Sequence, residues 1–310
     1  MEVSIKVLHK GIADSIQDSG RYGFQHFGVQ PNGCMDLLSA TLANYILQND
    51  LDNPVIELHF PASKIQFLNN AIICISGAHF VPILNEKSIP FNTPILVAEN
   101  DVLSMLQPIE GTIAYIGVKG RFNEPNWLNS HSYNSKSIAT NDILHFSTPN
   151  YDLQKTLQQL IKDFDKSIVE KVQNILFANN EPIRFLPGPE WDNLNENSLQ
   201  AILNKPFTIS VQRNRMGYYL NGPKLETSNT KSYLSSAVTR GTLQLLPNGN
   251  IIVLMADHQT IGGYANLGQI ILVDLPRFAQ MKNDQPFTFS LTNLDTTQSL
   301  YRKLYAPFKY

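Results

Sequence analysis

Gln17, Asp18 and Arg21 lie among Gly20, Gly23, Gly28 and Gly33 in residues 11–36, GIADSIQDSGRYGFQHFGVQPNGCMD. Three of these glycines are spaced by five, which fits neither the helical nor the strand period. The spacing predicts a folded-back loop whose backbone needs positive φ or close approach. In such a loop an arginine offers a planar fork for a carboxylate or phosphate, and amides freed by glycine can bind an anion. Gln17, Asp18 and Arg21 are therefore candidates to face a polar ligand. Asp36 precedes an apolar helical pattern and reads equally as an N-cap or a functional carboxylate. Asp18-Ser19-Gly20 is also ordinary turn chemistry.

Two later stretches carry comparable residues. In QRNRMGYYLNGP, residues 212–223, Arg213 and Arg215 stand near Gly217 and Tyr218-Tyr219. An anion or ring-shaped substrate fits that set, with Arg215 as counter-ion and a tyrosine as wall; a hairpin with solvated arginines fits it too. In ADHQTIGGYANLGQ, residues 256–269, a strongly apolar strand ends in Asp257, Gln259 and Thr260. Gly262-Gly263-Tyr264 then sets bare backbone beside an aromatic, a common way to present donors to a ligand. A wide turn is the alternative.

Several mechanisms are excluded by pattern. The chain has no P-loop, no G-x-S-x-G elbow, no H-E-x-x-H and no Rossmann glycine signature. Its seven histidines are scattered and read as surface or core residues rather than metal ligands. Cys34 and Cys74 show neither metal-ligand spacing nor a disulfide framework. A net charge of −2 gives no field for nucleic acid or an anionic membrane. The apolar runs 71–75 and 251–256 are far short of the ~20 residues that span a bilayer. With an N-terminus unlike a signal peptide, a cytoplasmic protein is expected.

The elements that must hold these loops are mostly strands. Short β-branched or aromatic runs bounded by Gly, Pro or Asn recur at 4–8, 71–76, 95–98, 112–118, 183–186, 207–211, 242–246, 251–255 and 287–291. Helices are expected after Asp36, over 152–177 as one amphipathic stripe, and over 198–203. The long stripe divides the chain into β-rich halves, residues 1–150 and 181–310, with 151–180 as a helical connector. SIQDSGRYGF from Ser15 and SVQRNRMGYY from Ser210 echo one another, which raises an internal duplication. Mainly β, barrel-like halves with flanking helices are the expected fold.

Taken together, the stretches resemble one family, whose members are variously called KipA, allophanate hydrolase subunit 2-like, or the C subunit of 5-oxoprolinase. Gln17, Asp18, Gly20, Arg21, Gly23, Gly28, Val29, Gly33, Met35 and Asp36 match its opening signature, followed by Ala43-Asn44, Glu57 and Ser76-Gly77-Ala78. RFLPGP, RMGYYLNG, ADHQTIGGY and DLPRFAQ match its later motifs. Ala13, Asn32 and Cys34 depart from the usual threonine, serine and alanine, so no role of the missing hydroxyls carries over. Arg240 stands where proline is frequent.

The resemblance implies two tandem cyclophilin-like β-barrel halves. It implies the C subunit of an ATP-dependent 5-oxoprolinase, acting with KipI-like and LamB/YcsF-like partner subunits to open L-5-oxoproline to L-glutamate. ATP would be a co-substrate of the complex. The family also includes carboxyltransferase regions that move CO2 from carboxybiotin to urea, and regulatory proteins that antagonise a KipI-like kinase inhibitor. On this resemblance Asp18, Arg21, Arg215, Gln259 and Thr260 are expected to be catalytic. Gln17, Gly33, Asp36, Tyr218, Gly262, Gly263 and Tyr264 are expected to bind a small lactam or amide, in one pocket between or within the halves. Donors at Gln259 and Gly262-Gly263 suit an amide-derived oxyanion. Lys282, in AQMKND, lacks the second Met or Leu of a biotinyl motif and reads as a turn lysine, so no biotin is expected on this chain.

Overall fold

The computed structural model describes residues 2–132, 137–148, 152–178, 181–228, 233–283 and 285–308. They divide into two compact units. One comprises Met1–Arg21 and Asn32–Phe177; the other comprises Tyr22–Pro31 and Ala178–Tyr310. The middle of the glycine-rich signature thus belongs to the second unit. The boundaries expected at 150 and 180 lie outside the described residues.

The first unit opens with β1 (Glu2–His9), β2 (Ser15–Gln17) and helix α1 (Leu37–Ile46). There follow β3 (Val55–His59), β4 (Lys64–Phe67), β5 (Ala71–His79), β6 (Pro82–Leu84) and β7 (Lys87–Ser88). The strands end with β8 (Ile95–Val97), β9 (Val102–Met105), β10 (Glu110–Val118), β11 (Arg121–Phe122) and β12 (Ile143–Ser147). Helices α2 (Leu153–Asp163) and α3 (Lys166–Leu176) close the unit. Seven strands pair in the order β11-β12-β1-β4-β9-β6-β7, and five in the order β2-β3-β10-β5-β8. Alternation in β1 buries Val3, Ile5 and Val7, whereas β5 is buried from Ala71 to Ala78. Such a two-sided strand must be covered on both faces. One cover is α1, eight of whose ten residues are buried. A Cβ on Gly117 of β10 would stand 3.1 Å from Leu47 and 3.3 Å from Ala43, so the chain at the end of α1 lies close against the sheet.

The single stripe expected over 152–177 is two helices. Phe164 is extended (ψ 137°) and closes α2; the Asp165 side chain then accepts from Ser167 N and starts α3. A fresh N-cap between two apolar stripes lets the second helix start on a new axis.

The second unit runs β13 (Ile183–Pro187), α4 (Glu196–Asn204), β14 (Thr208–Asn214), β15 (Gly217–Asn221), β16 (Ser236–Ala237), β17 (Thr242–Leu245) and β18 (Ile251–Leu254). It ends with β19 (Ile261–Gly262), β20 (Ala265–Ile270), α5 (Leu275–Gln280), β21 (Phe289–Leu291) and α6 (Leu294–Tyr305). Seven strands pair in the order β14-β15-β18-β17-β20-β13-β21, and β16 pairs with β19 as a separate ribbon. Phe185, Phe207, Phe287 and Phe289 meet edge-on in its core, with Phe287 and Phe289 centroids 5.1 Å apart. The fold is mainly β, and the curled sheets give two barrel-like halves.

The two echoed segments begin in sheet-edge strands, Ser15 in β2 and Ser210 in β14. Their environments differ: Gln17 is fully buried, whereas Gln212 is exposed.

Candidate functional site

In the first unit, the two ends of the glycine-rich signature and a distant loop hold each other. Gly20, Gly23, Gly28 and Gly33 all adopt positive φ. At Gly33 (φ +95°) a Cβ would also lie 3.0 Å from the backbone of Ser19 and Gly20, so a side chain there meets both backbone strain and a tight contact. This contact lays residues 32–34 against 18–20, where Cys34 N donates to the Asp18 carbonyl at 2.9 Å.

Asp18 itself is almost fully buried, and its carboxylate has four donors. Oδ1 accepts from Gly20 N and from the hydroxyls of Ser130 and Ser132, each at 2.8 Å, and Oδ2 accepts from His131 N at 2.6 Å. Arg21, 1% exposed, donates to the Asn32 side chain and to the Ser132 carbonyl, with its guanidinium 4.8 Å from the Trp127 ring centroid. Residues 127–130 form a tight turn with reciprocal Trp127–Ser130 backbone bonds and Leu128 at φ +51°. A leucine in the left-handed region is strained; Asp18 and Arg21 brace the segment that contains it.

Asp36 caps α1, accepting from Ser39 N at 3.0 Å and from the Ser39 hydroxyl. Its own N–H donates to the Tyr115 hydroxyl, which donates to Glu57 Oε2 at 2.9 Å; Met35 N reaches the same oxygen. Burial, with Glu57 beside it, pushes the Tyr115 hydroxyl well above its ordinary range. Gln17 is buried with Nε2 on the Ser15 hydroxyl, while its Oε1 has no hydrogen-bond partner among the described residues.

In the second unit, residues 214–217 turn the β14–β15 hairpin, where Asn214 Oδ1 accepts from Met216 N and Gly217 N. The hairpin reading therefore holds, but its arginines are not solvated. Arg215 grips Asp257 with two bonds of 2.9 Å, and side-chain exposures of 11% and 4% make this a buried pair. Arg213 donates to the Met281 carbonyl and lies 5.3 Å from the Tyr218 ring centroid; Tyr218 is buried and donates to the Ala279 carbonyl. Gln30, in the segment that joins this unit from the first signature, donates to the Asp257 carbonyl at 2.8 Å.

Beyond His258 the chain surfaces. Gln259 and Thr260 are half-buried, and Gly263 and Tyr264 are exposed. Gln259 Nε2 lies 3.5 Å from Gln244 Oε1. Gln244 is buried, and its Nε2 would stand 2.3 Å from a Cβ on Gly262, so the missing side chain at Gly262 is what admits the Gln244 amide. Burial lowers the His258 imidazole pKa, so Nδ1 meets the Gln259 carbonyl as the donor of a neutral ring. Sequence pattern does not mark Gln244, because an isolated glutamine in a β run gives no local signal; nor does it mark Ser130 and Ser132 as partners of Asp18.

Of the expected residues, Gln17, Asp18, Arg21, Gly33 and Asp36 belong to the first unit, and Arg215, Tyr218, Gln259, Thr260, Gly262, Gly263 and Tyr264 to the second. Asp18, Arg21, Asp36, Arg215 and Tyr218 are buried or nearly so and engaged by the protein's own groups, whereas Gln259, Thr260, Gly263 and Tyr264 present surface. Among the described residues no three His, Cys, Asp or Glu side chains gather as metal ligands. No helix among them is long and apolar enough to cross a membrane. Lys282 is exposed in a turn where its carbonyl accepts from Gln285 N.

The chain is 28% identical to the C subunit of 5-oxoprolinase from Escherichia coli over 94% of its own length and 92% of that protein's. It is equally similar to the corresponding C subunit of Haemophilus influenzae 5-oxoprolinase, covering 94% of it. It is 26% identical to urea amidolyase of Saccharomyces cerevisiae, a match covering 96% of this chain but only 17% of that one. In fold it matches the Kluyveromyces lactis urea amidolyase with a TM-score of 0.86 and urea carboxylase with 0.84, at 21% and 22% identity, over 20% and 29% of those chains. The carboxyltransferase domain, subdomain A and B, matches residues 27–291. The chain belongs to that carboxyltransferase domain family.

Proposed function

We propose that this chain is the C subunit of an ATP-dependent 5-oxoprolinase, working with KipI-like and LamB/YcsF-like partner subunits in the cytoplasm. The observation that supports it is correspondence along more than nine-tenths of two 5-oxoprolinase C subunits, against about a sixth of urea amidolyase. The substrate is a small lactam, and its carbonyl is the atom to be activated.

On this reading the loop of Gln259, Thr260, Gly263 and Tyr264 meets the lactam. A primary amide and a hydroxyl there donate toward an oxygen that gains negative charge, and Tyr264 supplies a flat apolar wall. The Arg215–Asp257 pair sets the loop's origin, a positioning role. ATP is a co-substrate of the assembled complex. The sequence contains no P-loop, and no residue of this chain is assigned to the nucleotide.

The test is co-expression of the tagged chain with its KipI-like and LamB/YcsF-like partners, followed by glutamate and ADP measurement from L-5-oxoproline and ATP. Stoichiometric formation of both, lost when this chain is omitted, supports the reading. A stable complex without turnover would favour a regulatory protein, and bicarbonate- and biotin-dependent activity on urea a carboxyltransferase component. Gln259→Ala is expected to lower turnover at least ~100-fold, the scale of losing an oxyanion donor, with the complex still forming.

A further inference from the structure

Beneath the loop assigned to the lactam lies a polar side chain that its own sheet does not satisfy. Every residue of β17 is buried, and Gln244, 1% exposed, is the long amide among them. Its pairing to β20 is irregular: Leu243 faces Gly268 and Gln244 faces Asn266, so Leu267 is passed over. Such a bulge increases the local twist and re-aims side chains, commonly beside active sites.

The Gln244 amide meets the loop that follows His258. Oε1 accepts from Gln259 Nε2 at 3.5 Å, and Nε2 has no hydrogen-bond partner among the described residues. Room for this amide exists because residue 262 is glycine. A Cβ there would lie 2.3 Å from Nε2 and 3.3 Å from the amide carbon. Gly262 lies outside the left-handed region, so its backbone does not itself require glycine. A buried amide with an unmet donor and one long bond adds little to stability, because desolvation offsets what the bond returns. An exception of this kind calls for an explanation. Gln259 supplies it. A primary amide carries two protons on its nitrogen; Gln244 takes one and thereby fixes the direction of the other. The bond is long, as catalytic contacts commonly are before substrate binds.

We propose that Gln244 is a positioning residue of the lactam site. It orients the Gln259 amide so that its other proton meets the lactam carbonyl oxygen, and the bare Gly262 leaves Gln244 the space to do so. The consequence for turnover rests on the oxoprolinase reading; the contact between the two glutamines does not.

Gln244→Met keeps the volume and removes the acceptor. In the assembled complex kcat is expected to fall ~10-fold with KM nearly unchanged, the pattern of a contact realised in the transition state. The melting temperature of the free chain should stay within about two degrees. In a Gln259→Ala background the same change should cost nothing further, because one residue acts through the other. Gly262→Ala displaces the Gln244 amide and should lower kcat to a similar extent. In the NMR spectrum of the free chain, Gln244→Met should move both Nε2 proton signals of Gln259 toward those of a solvent-exposed glutamine. Unchanged kcat in Gln244→Met, or losses that multiply with those of Gln259→Ala, overturn the proposal. Unmoved Gln259 signals overturn it too. A wild-type complex that forms no glutamate removes the oxoprolinase reading, and the Gln259 signals then decide the contact by themselves. If Gln244→Met does not fold, Gly262→Ala is judged by the same kinetic and spectroscopic criteria.

Discussion

Asp18 illustrates how much a buried carboxylate can organise within its own chain. Its two oxygens gather Gly20, Ser130, His131 and Ser132. An asparagine there would set an amide N–H against donors that need an acceptor. Asp18→Asn is expected to destabilise the protein by roughly 2–4 kcal/mol and to speed exchange of the His131 amide. Urea unfolding and hydrogen exchange check the two effects. Arg215 and Asp257 make the complementary case. Arg215→Ala leaves a carboxylate buried without its partner, and a loss of about 3–5 kcal/mol is expected. Arg215→Met with Asp257→Leu should lose much less than the two single changes combined, and a double-mutant cycle by denaturant unfolding measures that coupling. If Arg215→Ala instead leaves the unfolding midpoint unchanged and abolishes turnover, the arginine acts on substrate.

At the scale of elements, several family motifs are two halves of one fastening. Arg184 of RFLPGP binds Asp274 of DLPRFAQ through both carboxylate oxygens, at 2.6 and 3.0 Å, and so ties β13 to the start of α5. Arg277 of the same motif donates to the carbonyls of Ala178, Glu181 and Pro182, gathering the approach to β13. Ser76 donates to the Ser39 carbonyl and joins β5 to α1. The same logic fixes Asp36 at the head of α1. Asp36→Ala removes the cap and is expected to lose about 1–2 kcal/mol, with Asp36→Asn retaining most of it; thermal melts followed by circular dichroism distinguish them. Gly33→Ala should cost more than ~1 kcal/mol, because it meets both a positive φ and backbone atoms at contact distance.

Across the whole molecule, the buried His258 and the half-buried His131 contribute to the response to acid. Burial lowers the pKa of His131 and His258, so the folded state favours their neutral forms. Below the ordinary histidine value of ~6.5 the unfolded chain binds more protons, and stability falls as pH drops from 7 toward 5. Each group can add at most ~1.4 kcal/mol per pH unit. His258→Asn should flatten that slope in melting temperature measured across the range. Asp14 works in the opposite sense: its carboxyl is raised by burial, so just above the ordinary value of 3.8 protonation favours the folded state.

The sequence by itself determined the principal loops and the strands β1, β5, β8, β10, β13, β14, β17, β18 and β21, while β3, β4, β9, β12, β15 and β20 were not read from it. β-branched runs between turn residues encode β1, β5, β10 and β18, because strand pairing needs only alternate or continuous burial, which is local information. The four clustered glycines likewise disclosed positive φ. The single helix read over 152–177 failed at Phe164-Asp165, where apolar periodicity continues across a cap that restarts the helix. What tertiary structure alone decided is which partners the polar signature residues find. Asp18 finds its hydroxyl partners 112 and 114 residues away, Arg184 its carboxylate 90 away and Arg215 its own 42 away. A carboxylate that awaits a substrate and one that clamps a loop look alike in one dimension. Only the folded chain brings the distant donor within 3 Å, and burial then makes that pairing obligatory.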